Sequence, residues 1–156
     1  MSRATSMQAL ENWAGALLQR LSPVEQQRLA LNVARQLRRS QQKNMRAQQG
    51  PDGTAWQLRK TPAKTLRDAK TGPMMRGLAA AKYLRAQATP SEATVAFADR
   101  VQRIARVHHY GETDAVNHPD PPQYDYPARP LLGISDADLQ AITQLKQQRR
   151  TLILIT

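Results

Sequence analysis

Ser22-Pro23-Val24-Glu25 constrains this chain more tightly than any other four residues. Ser22 is a good N-cap, Pro23 suits the first helical position, and Glu25 completes a capping box. A helix must therefore restart here, and the spacing carries it to about Gln48. At about 100° per residue, Leu29, Ala30, Val33, Ala34 and Leu37 share one broad face. Arg28, Arg35, Arg39 and Arg46 fall close to a single line on the other side. The apolar face has to dock on something. The arginine line has to meet water, phosphate or carboxylate, so it is either a solvated surface or a basic face toward DNA or an acidic partner. Gly50-Pro51-Asp52-Gly53 then forces a turn.

The elements around this helix can be placed by the same reasoning. Residues 6–20 carry Leu10, Trp13, Ala14, Leu17 and Leu18 at helical spacing. Residues 54–73 show no period and are broken by Pro62. They read as a loop or an arm that orders on assembly, with Trp56 as exposed loop or buried interface anchor. Pro73 opens a short helix to Lys82. Tyr83–Ala88 and Ala93–Ala98 read as two strands of a hairpin. Asp99 caps a helix whose face holds Val101, Ile104, Ala105 and His108, and Gly111 stops it. Residues 112–126, with Pro119, Pro121 and Pro122, read as an extended mobile loop. Residues 127–133 run extended because Pro127 and Pro130 fix φ and remove donors, which suits a sheet edge or a subunit boundary. Ser135 with Asp138 starts a last helix bearing Leu139, Ile142 and Leu145. Thr151–Thr156 reads as a short terminal strand that pairs within the subunit or with a neighbour. The expected fold is α+β and one domain over 1–156, with an arm or loop at 50–73 and a loop at 112–126. It has an N-terminal helix pair, a small antiparallel sheet with a hairpin, and further helices packed on it.

The core of such a fold is thin. Aromatics are 4% of residues and mean hydropathy is -0.62. That leaves partial disorder or an obligate oligomer, and the periodicity of the apolar residues favours the oligomer. Charge is uneven. Residues 1–88 hold 16 Lys and Arg against 4 Asp and Glu, while residues 89–156 hold 7 against 8, so a half of charge +12 precedes one of -1. Such a layout suits head-to-tail contact between unlike faces, and also contact with DNA. There is no Cys, hence no disulfide, thiol nucleophile or Cys-based metal site. With no signal peptide or membrane span in view, the expected place is the cytoplasm or a particle assembled there.

Catalytic groups are not arranged for chemistry. His108 and His109 point about 100° apart on a helix and cannot readily chelate one ion. A site would need His118 and carboxylates such as Asp114 or Asp120 to converge. The better reading packs His108 near a helix C-terminus, where positive charge is tolerated. Asp136 and Asp138 sit in a helix's first turn, where they complement its dipole. Ser22, Ser40, Ser91 and Ser135 have no nearby His–acid pair. No enzyme activity, cofactor or metal is expected. A small basic nucleic-acid-binding protein is the rival reading, resting on the arginine line and the Lys-rich 59–70 stretch.

Two signatures stand out beyond these patterns: Ile104–Gly111 (IARVHHYG) and Tyr126–Gly133 (YPARPLLG), the second running into Ser135-Asp136-Ala137-Asp138. Their order, after a helix pair, RQLRRSQQKNMR and Gly50-Pro51-Asp52-Gly53 with Trp56, resembles the phage virion morphogenesis family from about residue 8 to residue 146. The resemblance implies a structural protein that finishes a phage tail and joins it to the filled head. It implies an α+β subunit of a neck ring, commonly a hexamer, around a passage for DNA. Neighbouring neck, tail-tube or head-connector proteins would be its partners, and the assembled virion its place. On that reading Trp56, Tyr126, Ala128, Arg129, Pro130 and Leu131 are candidate subunit-interface residues. Arg28, Arg35, Arg39 and Arg46 are the candidate stripe facing DNA or a partner.

Overall fold

The computed structural model describes residues 3–58, 73–117 and 119–155, with side chains left out at 3–4, 17–18, 117 and 146–155. Among the described residues, four helices and two small antiparallel sheets make it an α+β protein. The helices are α1 (Arg3–Leu18), α2 (Pro23–Arg46), α3 (Asp99–Tyr110) and α4 (Asp136–Ile155). Strands β1 (Leu84–Ala88) and β2 (Ala93–Phe97) form one pair, and β3 (Thr113–Asn117) and β4 (Asp120–Asp125) the other. The chain folds as two compact units. The first comprises Met1–Ser40, Arg85–Ala96 and Ile134–Thr156; the second comprises Gln41–Leu84 and Phe97–Gly133.

The first unit is organised by helix packing. Its entry is the expected capping box: the Ser22 amide donates to Glu25 Oε2 at 3.2 Å, and the Glu25 amide to Ser22 Oγ at 3.3 Å. Two backbone donors that a helix start would otherwise strand are thereby used. α1 packs against α4. Leu21 and Leu29 are buried together, with Trp13 and Leu145 against them. Val33, Ala34, Leu139 and Ile142 are buried as well, so the apolar faces read on α2 and α4 are the faces used. Each buried Leu or Ile contributes about 1.5–3 kcal/mol. α4 opens with the second capping box, Ser135 with Asp138, at 3.0 and 3.1 Å. The β1–β2 hairpin turns at Thr89–Glu92, and Gln27 Nε2 donates to the Ala88 carbonyl at 3.4 Å.

The second unit has less regular structure and more single tethers. α3 stops where expected: Gly111 is left-handed (φ 71°, ψ 59°) and its amide donates to the Val107 carbonyl at 2.9 Å. β3 pairs with β4 in the register Thr113↔Asp125, Asp114↔Tyr124 and Ala115↔Gln123, with an irregularity before Asn117↔Asp120. Glu112 pairs with Arg106 and Asp114 with Arg103, which ties the hairpin to α3.

Four expectations are corrected. Residues 113–117 and 120–125 are paired strands, not an extended loop; the prolines at 121 and 122 withhold donors, and a two-stranded pair has an outer edge where none is needed. Residues 74–82 form successive turns and no helix. Met75 takes positive φ (58°), and the bonds are short-range: Leu78 to Met75, Ala80 to Gly77, Tyr83 to Ala80. Asp99 is the first helical residue and not the cap; the cap position is Ala98, without a side-chain bond. Residues 151–155 continue α4. Their apolar, β-branched composition favours a strand, but no turn signal separates them from Leu145–Arg150, and extending a formed helix is cheaper than ending it. The Lys-rich stretch 59–70 and His118 lie outside the described residues.

Candidate functional site

The second unit holds a knot in which three separate sequence signatures meet. Its thread is the extended segment 126–133. The Tyr126 amide donates to the Glu112 carbonyl at 3.2 Å, and the Arg129 amide to the His108 carbonyl at 2.7 Å. The Leu131 amide donates to His109 Nδ1 at 3.0 Å. His108 meets the Tyr126 ring edge-on at 4.8 Å, and Tyr126 meets Tyr124 in the same way at 4.9 Å. So the C-terminal turn of α3 and the 126–133 segment are one construction. Gly111 shows how close they lie. A Cβ there would come within 2.6 Å of the Ala128 nitrogen, on top of its left-handed backbone.

The turn after α2 supplies the other side of the knot. Trp56 is buried, and its indole Nε1 donates to the Pro130 carbonyl at 3.0 Å. Arg129 is also buried, at 5% exposure. Its Nε donates to the Gln57 carbonyl at 3.0 Å and a terminal nitrogen to the Leu58 carbonyl at 3.4 Å. A buried guanidinium is tolerated only with such acceptors. Gly133 is packed against Pro51, where a Cβ would meet the ring at 2.8 Å.

Sequence reasoning missed three of the residues that tie this knot. Gln41, 2% exposed, lies in the row Leu29, Val33, Leu37, Gln41, Met45 of α2, of which all but the half-buried Leu37 are buried. Its amide donates to the Gly133 carbonyl at 2.7 Å and accepts from the Gly133 nitrogen at 3.2 Å. Gln48 clamps Met74 in the same two-way manner, at 2.9 and 2.8 Å. His109 accepts from Leu131, and burial lowers its pKa below the usual 6.5. The one available signal was a Gln sitting on an otherwise apolar row; nothing local marked the acceptor nitrogen of His109.

The candidate interface residues divide on burial. Trp56, Arg129 and Leu131 are buried within the unit, Leu131 completely. Ala128 and Pro130 are exposed and Tyr126 half-buried. Arg28, Arg35, Arg39 and Arg46 are all exposed on α2, and Arg39 makes a local bond to Gln36 Oε1 at 2.8 Å. Among the described residues no three His, Asp or Glu side chains are grouped to hold a metal ion, and no helix is long and apolar enough to cross a membrane.

The knot is built from Gly50–Gly53 with Trp56, from Ile104–Gly111 and from Tyr126–Gly133, the same pieces that carry the sequence resemblance. The chain belongs to the phage virion morphogenesis family, whose model matches residues 5–149. It is 37% identical over 134 residues to the tail completion protein S of Escherichia phage P2, an overlap covering 83% of this chain and 87% of that protein. No solved structure matches it. Its role is in phage virion morphogenesis.

Proposed function

We propose that this chain completes the phage tail and joins it to the head as a non-enzymatic subunit of a neck ring, hexameric in number, around the DNA passage. The observation that carries the reading is the 37% identity to a tail completion protein across most of both chains. Physical features support it. Among the described residues both sheets have two strands, whose outer edges a neighbouring subunit can use. The exposed Ala128 and Pro130, with the half-buried Tyr126, are the proposed subunit contact. Trp56, Arg129 and Leu131 hold that contact in shape from within.

The measurement is direct. Native mass spectrometry of the protein and of isolated tails should give a closed oligomer, and phage lacking the chain should accumulate unjoined heads and tails. A stable monomer absent from particles ends the reading.

A nucleic-acid role is the second reading, favoured by the exposure of all four arginines on α2. It requires duplex binding that weakens steeply with salt. Reversing Arg28, Arg35 and Arg39 to Glu should abolish that binding if DNA is the partner. If the ring is the whole function, the variant folds and shows its defect only in head–tail joining.

A further inference from the structure

The second unit carries an apolar groove of about 1040 Å³. Val101, Ile104 and His108 of α3 form one wall, the β3–β4 hairpin with Val116 and Tyr124 another, and Met75 lies in the 73–78 turn. These are the α3 residues whose spacing marks a core-facing stripe. Yet Ile104 is 44% and Val116 51% exposed. An apolar stripe left open on a folded unit marks an interaction surface more often than a defect.

We propose that this groove receives an apolar, carboxylate-bearing segment of a different virion protein, whose acidic side chains land on Arg76, Lys82 and Arg100. The inference rests on the proposed function and names a partner for it.

Charge complementarity identifies the occupant. Arg76 and Tyr83 line the groove. Lys82 Nζ sits 4.8 Å from the centre of the Tyr83 ring and the Arg100 guanidinium 5.0 Å from it. Arg100 also donates to the Tyr83 hydroxyl at 3.0 Å. Arg76, Lys82 and Arg100 are exposed, and none forms an ion pair among the described residues. No carboxylate lines the groove among the described residues, and of the acids on and beside the neighbouring hairpin Asp114 pairs with Arg103, Glu112 with Arg106, and Asp125 accepts from the Thr113 hydroxyl. Asp99 opens α3 beside Arg100 but forms an ion pair with none of the three cations. The Tyr83 phenol pKa is lowered, first by the Arg100 hydrogen bond and then by Lys82, as expected where cations gather without a counter-charge. Apolar walls argue against nucleic acid. An acidic neighbour satisfies both the walls and the rim.

The test uses the full chain inside particles. A photo-crosslinking benzoylphenylalanine replaces Ile104 in one variant and Val116 in another, each supplied to phage lacking the chain. Irradiated particles are analysed by mass spectrometry. One other virion protein, joined through a segment with apolar and acidic residues, is the expected adduct. Adducts only to a second copy, to DNA or to residues 59–72 of the same chain overturn the proposal, as does no adduct from particles that contain the variant. In parallel, Lys82→Glu with Arg100→Glu should reduce head–tail joining at least tenfold, with melting unchanged. Arg76→Glu serves as the second variant should the double one fail to fold. Wild-type joining by a folded charge-reversed variant also overturns the proposal. Absence of the chain from all particles would instead sink the tail-completion reading itself.

Discussion

The two units of this chain reach a folded state by different means. The first buries helix faces: Leu21 and Leu29 with Trp13 and Leu145, between elements that start at well-formed capping boxes. The second is stitched. Single side chains of Gln41, Gln48, Trp56, His109 and Arg129 each reach a backbone group far away in sequence. Apolar packing is non-directional and tolerates adjustment, whereas a stitch demands one geometry and leaves a stranded polar group when broken. Precision at the place where a partner would be met thus comes from hydrogen bonds, and bulk cohesion from helices.

The largest effects test whether both units are needed for one stable chain. Leu29→Ala should cost about 2–5 kcal/mol, and Trp56→Ala about 3–5 kcal/mol, by urea denaturation. Trp56→Phe keeps an aromatic ring but loses the pyrrole half with its bond to Pro130, so it retains much of the packing while removing the stitch. If Trp56→Phe is silent, the second unit is held by packing after all. Next comes Gln41→Leu, which makes the buried row wholly apolar. A packing account expects a gain; stranding the Gly133 groups should instead lose about 1–3 kcal/mol. Ser135→Ala removes a cap in the first unit and should cost about 1 kcal/mol.

The smallest effect is pH-dependent. Burial depresses the His109 pKa, so as pH falls the unfolded chain binds the proton first. The contribution of the neutral ring is complete above 6.5 and is lost as pH drops through the lower folded value. Melting temperature should therefore fall on acidification below about 6.5. His109→Asn, which offers an oxygen where Nδ1 stood, should flatten that slope. An unchanged slope would remove His109 from the stitches.

This contrast also explains what could be read in the sequence. Ser22 with Glu25, Ser135 with Asp138, the α2 face and the Gly111 stop were all legible, because each is fixed by residues within a few positions of one another. The β1–β2 hairpin was legible for the same reason. The β3–β4 pair was hidden by prolines that ordinarily break strands. The 74–82 turns were hidden because Gln42 and Gln48, far upstream, hold the Ala79 and Met74 carbonyls. Trp56 and Arg129 are joined to the 126–133 segment and the 56–58 turn within the chain, beside Ala128, Pro130 and Leu131. Which of them point inward depends on bonds across more than 70 positions, and no local pattern carries that.

Gln41 gives α2 a keyed tooth. Helices that meet through leucines alone can slide by a turn and still find grease. Here one rung of the ladder presents an amide that fits only the Gly133 peptide, and the rungs one turn away present Leu37 and Met45, which would leave that peptide dry and unanswered. A single uncharged side chain thus sets where the Gly133 peptide meets the last turns of α2 within the second unit, so Glu, Leu or even the shorter Asn at this rung would loosen that seat.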